Sequence, residues 1–323
     1  MQTIMWEGRV TPLQSISHNG GQSFGVTAKL RREKFVQMDG SIAEVPVISG
    51  NAMRGILRDR GMLHMLRTLG YGVNEESGTV QGLSMAAFYF LFSGGALTST
   101  GSRGIDIDEA RKWQTLVPLV SVFGGAMGNS IKPGKIKVGK VIPICIETAH
   151  LLPESVSANL ELQSVWEYLQ EEMYTRTDDA KNDRYRPLLS ADVRKLLDDE
   201  QRAAQRDPLK PVEETGQKQQ MRYFVETIAA GTPMYWQICL DDVTDLEFEA
   251  FVTTMVEFGR MPYIGGKSGT GMGQISLQID KWLTIDSRSI LTGNEIDMPI
   301  GTRYADHLRT HADEIRSLLE SLK

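Results

Sequence analysis

Cysteine is nearly missing from this sequence: Cys145 and Cys239 are the only two in 323 residues. Two thiols build neither a disulfide framework nor a cysteine-only zinc site, and such sparse use fits a reducing compartment. Long apolar runs are missing as well. The best, 85–92, is less than half of the roughly 18 residues needed to span a bilayer, so no membrane partner is expected. The opening MQTIMWEGRV lacks the basic-then-apolar layout of a secretory leader, and a cytoplasmic location is the expectation. Nor is there an excess of positive charge. With 35 Lys+Arg against 41 Asp+Glu the net charge is −6, which at first sight argues against a nucleic-acid binder. What is present, 41% hydrophobic and 24% charged residues, describes a globular chain.

The charges are segregated. Residues 29–67 carry eight Lys/Arg and four Asp/Glu, and 130–140 carry four lysines and no acid. Residues 141–172 hold six glutamates and no Lys/Arg, and 223–259 hold seven acids and no Lys/Arg. A local basic surface is therefore compatible with an acidic chain. Charge alone favours ordinary solvated faces.

Patterning predicts an α+β chain. Residues 3–10 and 24–30 alternate as half-buried strands, and 45–48 is a short strand leading into a helix that Ser49 or Asn51 can cap. Further helices are expected over 83–92, over 105–122 (divided or kinked at Pro118), over 160–174 and from Tyr304 onward. Residues 135–148 read as one long strand, and 223–228 with 234–240 as a hairpin around AAGTP. Thr244 and Glu247 form a capping box for a helix carrying Phe248, Phe251, Val252, Met255 and Phe258. The stretch 175–222 has eleven Lys/Arg and ten Asp/Glu in 48 residues and cannot supply a core, so it reads as an exposed charged insertion. Without insertions the order is βαββαβ, a ferredoxin-like (RRM-like) palm. One domain over 1–323 is expected, with a helical insertion at 71–130, a thumb-like charged insertion at 175–222 and a C-terminal helix at 301–323.

Two loops suit an anion. In ISGNAMRGILRD (48–59) a strand gives way to a helix whose first amides are unpaired. Ser49, Gly50 and Asn51 allow close approach to them, while Arg54 and Arg58, four apart, share one face. The competing reading is an ordinary capped helix with solvent-facing arginines. In IGGKSGTGMG (264–273) five glycines in ten residues suggest a closely approached backbone, with Gly265, Gly266, Lys267 and Ser268 as a phosphate nest. It is not a P-loop, because Met261 stands where a glycine is needed and the loop opens a strand. Two glycines would suffice for a plain turn. Near the ends of the charged insertion, Arg184, Tyr185, Arg186, Lys218, Arg222 and Tyr223 mix cations with aromatics, a mixture that suits backbone contact and base stacking.

Catalytic patterns fail. His307 and His311 lack the glutamate of HExxH, since Leu308 stands there, and Thr270 spoils a GxSxG at Ser268. No catalytic residue, metal site or cofactor is expected.

Together these pieces resemble the RAMP superfamily of CRISPR proteins. ISGNAMRGILR (48–58) resembles its helix-opening motif, Phe123-Gly124 its central Phe-Gly element, RYFVE (222–226) with Gly231 and Met234-Tyr-Trp its strand–glycine–strand passage, and 264–273 its glycine-rich loop. The resemblance runs from about residue 3 to 283, and is strongest to the guide-RNA-binding backbone subunit of CRISPR effector complexes in its type IV form. It implies a palm with an inserted thumb, and copies polymerised head to tail along a guide RNA in company with other effector subunits. The guide would be presented for pairing with complementary target DNA or RNA. Ser49, Gly50, Asn51, Arg54, Arg58, Gly265, Gly266, Lys267 and Ser268 would contact RNA, with Lys29, Arg31, Arg184, Arg186, Lys218 and Arg222 beside them. Type III relatives cleave RNA with an aspartate ahead of the helix-opening motif. Residues 27–37 contain none, leaving Asp39 in an MDGS turn or Glu33, so a non-cleaving binder is expected over a metal-dependent nuclease. A ferredoxin-like assembly protein without nucleic acid is the remoter alternative.

Overall fold

The computed structural model describes residues 1–24, 27–73, 80–95, 107–127, 130–157, 160–176, 188, 190–195, 221–285, 294–295 and 302–322. The strands in chain order are β1 (Gln2–Pro12), β2 (Asn19–Phe24), β3 (Thr27–Leu30), β4 (Arg32–Val36), β5 (Ile42–Pro46), β6 (Gly72–Val73), β7 (Val80–Gln81), β8 (Gly125–Met127), β9 (Ser130–Lys132), β10 (Ile136–Val138), β11 (Ile142–Pro143), β12 (Leu169–Arg176), β13 (Met221–Ile228), β14 (Met234–Val243), β15 (Ile275–Ile285) and β16 (Asn294–Glu295). The helices are α1 (Gly50–Thr68), α2 (Met85–Phe88), α3 (Ile107–Leu116), α4 (Pro118–Phe123), α5 (Glu154–Ser157), α6 (Asp245–Arg260), α7 (Thr302–Thr310) and α8 (Ala312–Ser321).

The chain forms two compact units. The larger comprises Met1–Gly20, Leu30–Gln170 and Thr227–Lys323; the smaller comprises Gly21–Lys29 and Glu171–Glu226. The larger is built on a sheet ordered β10-β14-β1-β15-β16, with β11 also pairing with β14. The β10–β14, β14–β1 and β1–β15 pairs are all antiparallel. In chain order β1, α1, β10, β14, α6 and β15 give an α+β palm of ferredoxin-like type. The alternation of β1 is realised: Ile4, Trp6, Gly8 and Val10 are buried. Trp6 meets Trp236 of β14 edge-on, ring centroids 4.8 Å apart. Helices α1 and α6 approach closely at Gly61, where a Cβ would lie 2.4 Å from Thr254 Oγ1. The capping box forms as expected, with Thr244 Oγ1 accepting from the Glu247 amide and Glu247 Oε2 from the Thr244 amide. All five apolar residues expected on the inner face of α6 are buried. In the smaller unit β12-β13-β3-β2 form a second sheet, in which β13 runs parallel to β3. No described helix is long and apolar enough to cross a membrane.

Several expectations are corrected. The strand expected over 135–148 is two short strands, and the register on β14 slips by one residue between Val138↔Ile238 and Ile142↔Tyr235. Gly139 sits at the slip, too near β14 for a side chain: a Cβ would lie 2.8 Å from Gln237 O. Beyond the slip Val141 exchanges both backbone hydrogen bonds with Ile48. The helix expected over 160–174 is a 3₁₀ turn, Val165–Tyr168, followed by β12. The two strands around AAGTP are not a hairpin, because β13 and β14 belong to different sheets. The run expected over 83–92 is a short α-helix that widens into a π-turn, Tyr89–Ser93, and stops at left-handed Gly94. The segment expected over 24–30 is two strands, and the 45–48 strand is β5 followed by an isolated Ile48–Val141 bridge. As expected, Pro118 divides the 105–122 run, opening α4 after α3 ends. The tail breaks into α7 and α8 at His311. Most of 175–222 lies outside the described residues.

Candidate nucleic-acid interface

Helix α1 opens in the middle of the basic segment. Ser49, in extended conformation, is its N-cap, and its Oγ accepts from the Ala52 amide at 3.2 Å. The first turn holds no acidic side chain, so no charge of the helix itself offsets the positive end of its dipole. Gly50 is dictated by its surroundings, since a Cβ there would lie 2.4 Å from Val138 O of β10. That contact brings the lysine-rich strand against the helix opening. Arg31, Glu33, Ser49, Gly50, Asn51, Arg54, Lys137 and Lys140 thus line one hollow of about 460 Å³. Four cations face one anion there. Glu33 pairs with Lys140, and Lys137 pairs with Asp241 at 2.6 Å. The side chains of Lys137 and Lys140 remain 65% and 46% exposed, so both pairs are screened and open to exchange.

A second hollow, about 640 Å³, adjoins the first through Asn51, Arg54 and Ile136. Its other walls include Arg58, Phe92, Lys132 and the glycine pairs Gly94-Gly95 and Gly124-Gly125. Arg54 and Arg58 do converge on one acceptor, the Phe123 carbonyl at the end of α4. Arg58 Nη2 donates to Phe123 O at 2.6 Å and to Gly124 O at 2.7 Å. Arg58 is only 8% exposed, and burial together with the Arg54 charge lowers its pKa to about 10. It stays protonated at neutral pH. Arg58 therefore serves the last carbonyls of α4, while half-buried Arg54 also borders the basic hollow. This explains the Phe-Gly element: Gly124, at φ 68, turns the chain after α4 so that two carbonyls point at one guanidinium.

The glycine loop is a braced turn. Gly265 lies at φ 76, and a Cβ there would sit 2.5 Å from Ser17 O. Gly273, at φ 86, would clash with Ile264 O. Lys267 takes the same left-handed conformation without being glycine, at φ 61. The Gly266 amide donates to Ser17 O at 2.7 Å and the Thr270 amide to Lys267 O at 3.0 Å. Gly266 and Ser268 are exposed.

Lys29 and Arg222 belong to the smaller unit. Lys29 donates to Glu171 Oε1 at 3.0 Å, with Glu226 Oε1 3.6 Å away, while Arg222 is exposed on β13. Tyr174 and Tyr223 stack there, centroids 5.5 Å apart. Arg184, Arg186 and Lys218 lie outside the described residues. Asp39 sits in the β4–β5 turn, where its carboxylate accepts from the Ser41 amide and hydroxyl, which hold its pKa below the ordinary value. No group of three His, Cys, Asp or Glu placed to hold a metal occurs among the described residues. Lys137 and Lys140 carry no individual signal in the sequence beyond the basic run 130–140. Nor does the sequence mark His18, whose Nε2 lies 3.2 Å from the Ser49 amide.

No protein-family model matches the chain, and no curated protein does. Its backbone is similar to a chain of a solved structure described as a "Type IV-B CRISPR Complex", with a TM-score of 0.58 and 23% sequence identity over 93% of this chain and 96% of that one. The likeness is one of fold, and it extends through nearly the whole of both chains.

Proposed function

We propose that this chain is a non-catalytic backbone subunit of a CRISPR ribonucleoprotein. It grips guide RNA by the phosphates, stacks head to tail with further copies, and presents the guide for pairing with target DNA or RNA alongside other effector subunits. The observation that carries this reading is the hollow at the start of α1, where Arg31, Arg54, Lys137 and Lys140 surround a helix N-terminus with no acid in its first turn. Such a surface neutralises phosphate and reads no base edges, which suits a subunit whose specificity lies in base pairing. The shared fold with a chain of a type IV-B complex supports the same reading. Asp39 is held by its own turn, and Glu33 faces the cation Lys140, which favours holding RNA over cutting it.

The test is affinity for single-stranded RNA of several sequences as a function of salt. Replacing Lys137 and Lys140 with alanine is expected to weaken all sequences alike and to lower the log–log salt slope by about 1 per lost phosphate contact. Unchanged affinity and slope would remove this hollow from the RNA path.

A further inference from the structure

The helix-opening motif and the glycine loop are separated by more than two hundred residues, yet one short segment touches both. Buried Ser17 accepts the Gly266 amide at 2.7 Å through its carbonyl, and the left-handed turn at Gly265 lets the loop come that close. The next residue, His18, accepts the Ser49 amide on Nε2 at 3.2 Å and the Arg31 amide on its carbonyl at 2.8 Å. Residues 17–18 thus tie the loop, the N-cap of α1 and one cation of the basic hollow into a single connected backbone.

The Ser49 contact constrains the imidazole. An N–H can be accepted only by an unprotonated ring nitrogen, so Nε2 must keep its lone pair and Nδ1 must carry the proton. An imidazolium would set two donors against each other. Burial and the nearby Arg31 charge both lower the pKa of His18, which agrees with a neutral ring at physiological pH. With Ser49 N–H held by His18 and Ala52 N–H held by Ser49 Oγ, the Gly50 and Asn51 amides are left as the outward donors of α1.

We propose that His18 is a positioning residue: through its Nε2 acceptor it joins the helix-opening cradle and the glycine loop into one anion-binding surface for the phosphates of a nucleic acid. This rests on the RNA-binding reading above, and the test separates the two. In the free full-length protein at pH 7, imidazole ¹⁵N spectra should show His18 neutral, protonated on Nδ1 and bare on Nε2. His18→Ala removes the acceptor, whereas His18→Gln restores one at similar reach. For a single-stranded RNA at fixed salt, His18→Ala should bind about tenfold more weakly than wild type, and His18→Gln within about twofold of wild type. Thermal unfolding of both variants checks that the loss is local. Equal binding by His18→Ala, failure of His18→Gln to restore binding, or a protonated Nε2 would overturn the proposal. If His18→Ala does not fold, the ring spectrum and the Gln variant still decide it. A wild-type chain with no affinity for RNA would overturn the RNA reading instead, while a bare Nε2 would leave the junction standing.

Discussion

Arg58 shows how spacing and environment divide a pair of like residues. Four residues apart on α1, Arg54 and Arg58 meet at the Phe123 carbonyl, but only Arg54 also borders the basic hollow. Replacing Arg58 with alanine would leave the buried Gly124 carbonyl without its donor and the Phe123 carbonyl with Arg54 alone. We expect a loss of about 2–4 kcal/mol in denaturant unfolding, with little rescue by lysine, which cannot present two N–H groups in one plane. The Ser49 cap and the Thr244–Glu247 box were legible in the sequence because each is a local motif closing over three residues. The His18–Ser49 and Arg58–Phe123 contacts were not, since they join residues 31 and 65 positions apart and only the tertiary fold brings them together.

At the scale of elements, local periodicity was reliable where one face is buried and failed where partners change. β1 and α6 keep one neighbour set along their length, so their apolar patterns were legible. The 135–148 run alternates like one strand, yet its pairing with β14 slips by one residue at Gly139, and Val141 bonds Ile48 instead. Close packing of Gly50 against Val138 sets Lys137 and Lys140 beside the opening of α1. The sequence around 160–174 has helical spacing, but its second half becomes β12 in a second sheet, a choice made by pairing rather than propensity. The α6 cap carries a pH signature. Burial pushes the Glu247 carboxyl up, but Lys135, Ser121 and the Thr244 amide outweigh it and hold its pKa below the ordinary 4.5. A depressed folded pKa means the cap stabilises fully above the unfolded value and fades as pH falls through the folded one. Glu247→Gln should therefore cost about 1–2 kcal/mol at pH 7 and progressively less below pH 4.5, as read from unfolding curves across that range. A pH-independent difference would assign the effect to packing instead.

At the scale of the whole molecule, the net charge of −6 is a sum over unlike surfaces. Lys137 and Lys140 of 130–140 and Arg31 and Arg54 of 29–67 converge on one hollow, while 223–259 supplies acids such as Asp241 and Glu247 that pair with Lys137 and Lys135. Segregated charge of this kind suits head-to-tail stacking, which is heterologous and open-ended. The copies so arranged would extend along the RNA they bind, and their association would weaken with salt. The central claim, that this chain holds guide RNA, is tested most directly by native purification from its own host followed by sequencing of whatever nucleic acid accompanies it. The account predicts salt-sensitive oligomers carrying short RNAs that share one repeat-derived segment. A monomer with a protein-like ultraviolet spectrum and no RNA would contradict it.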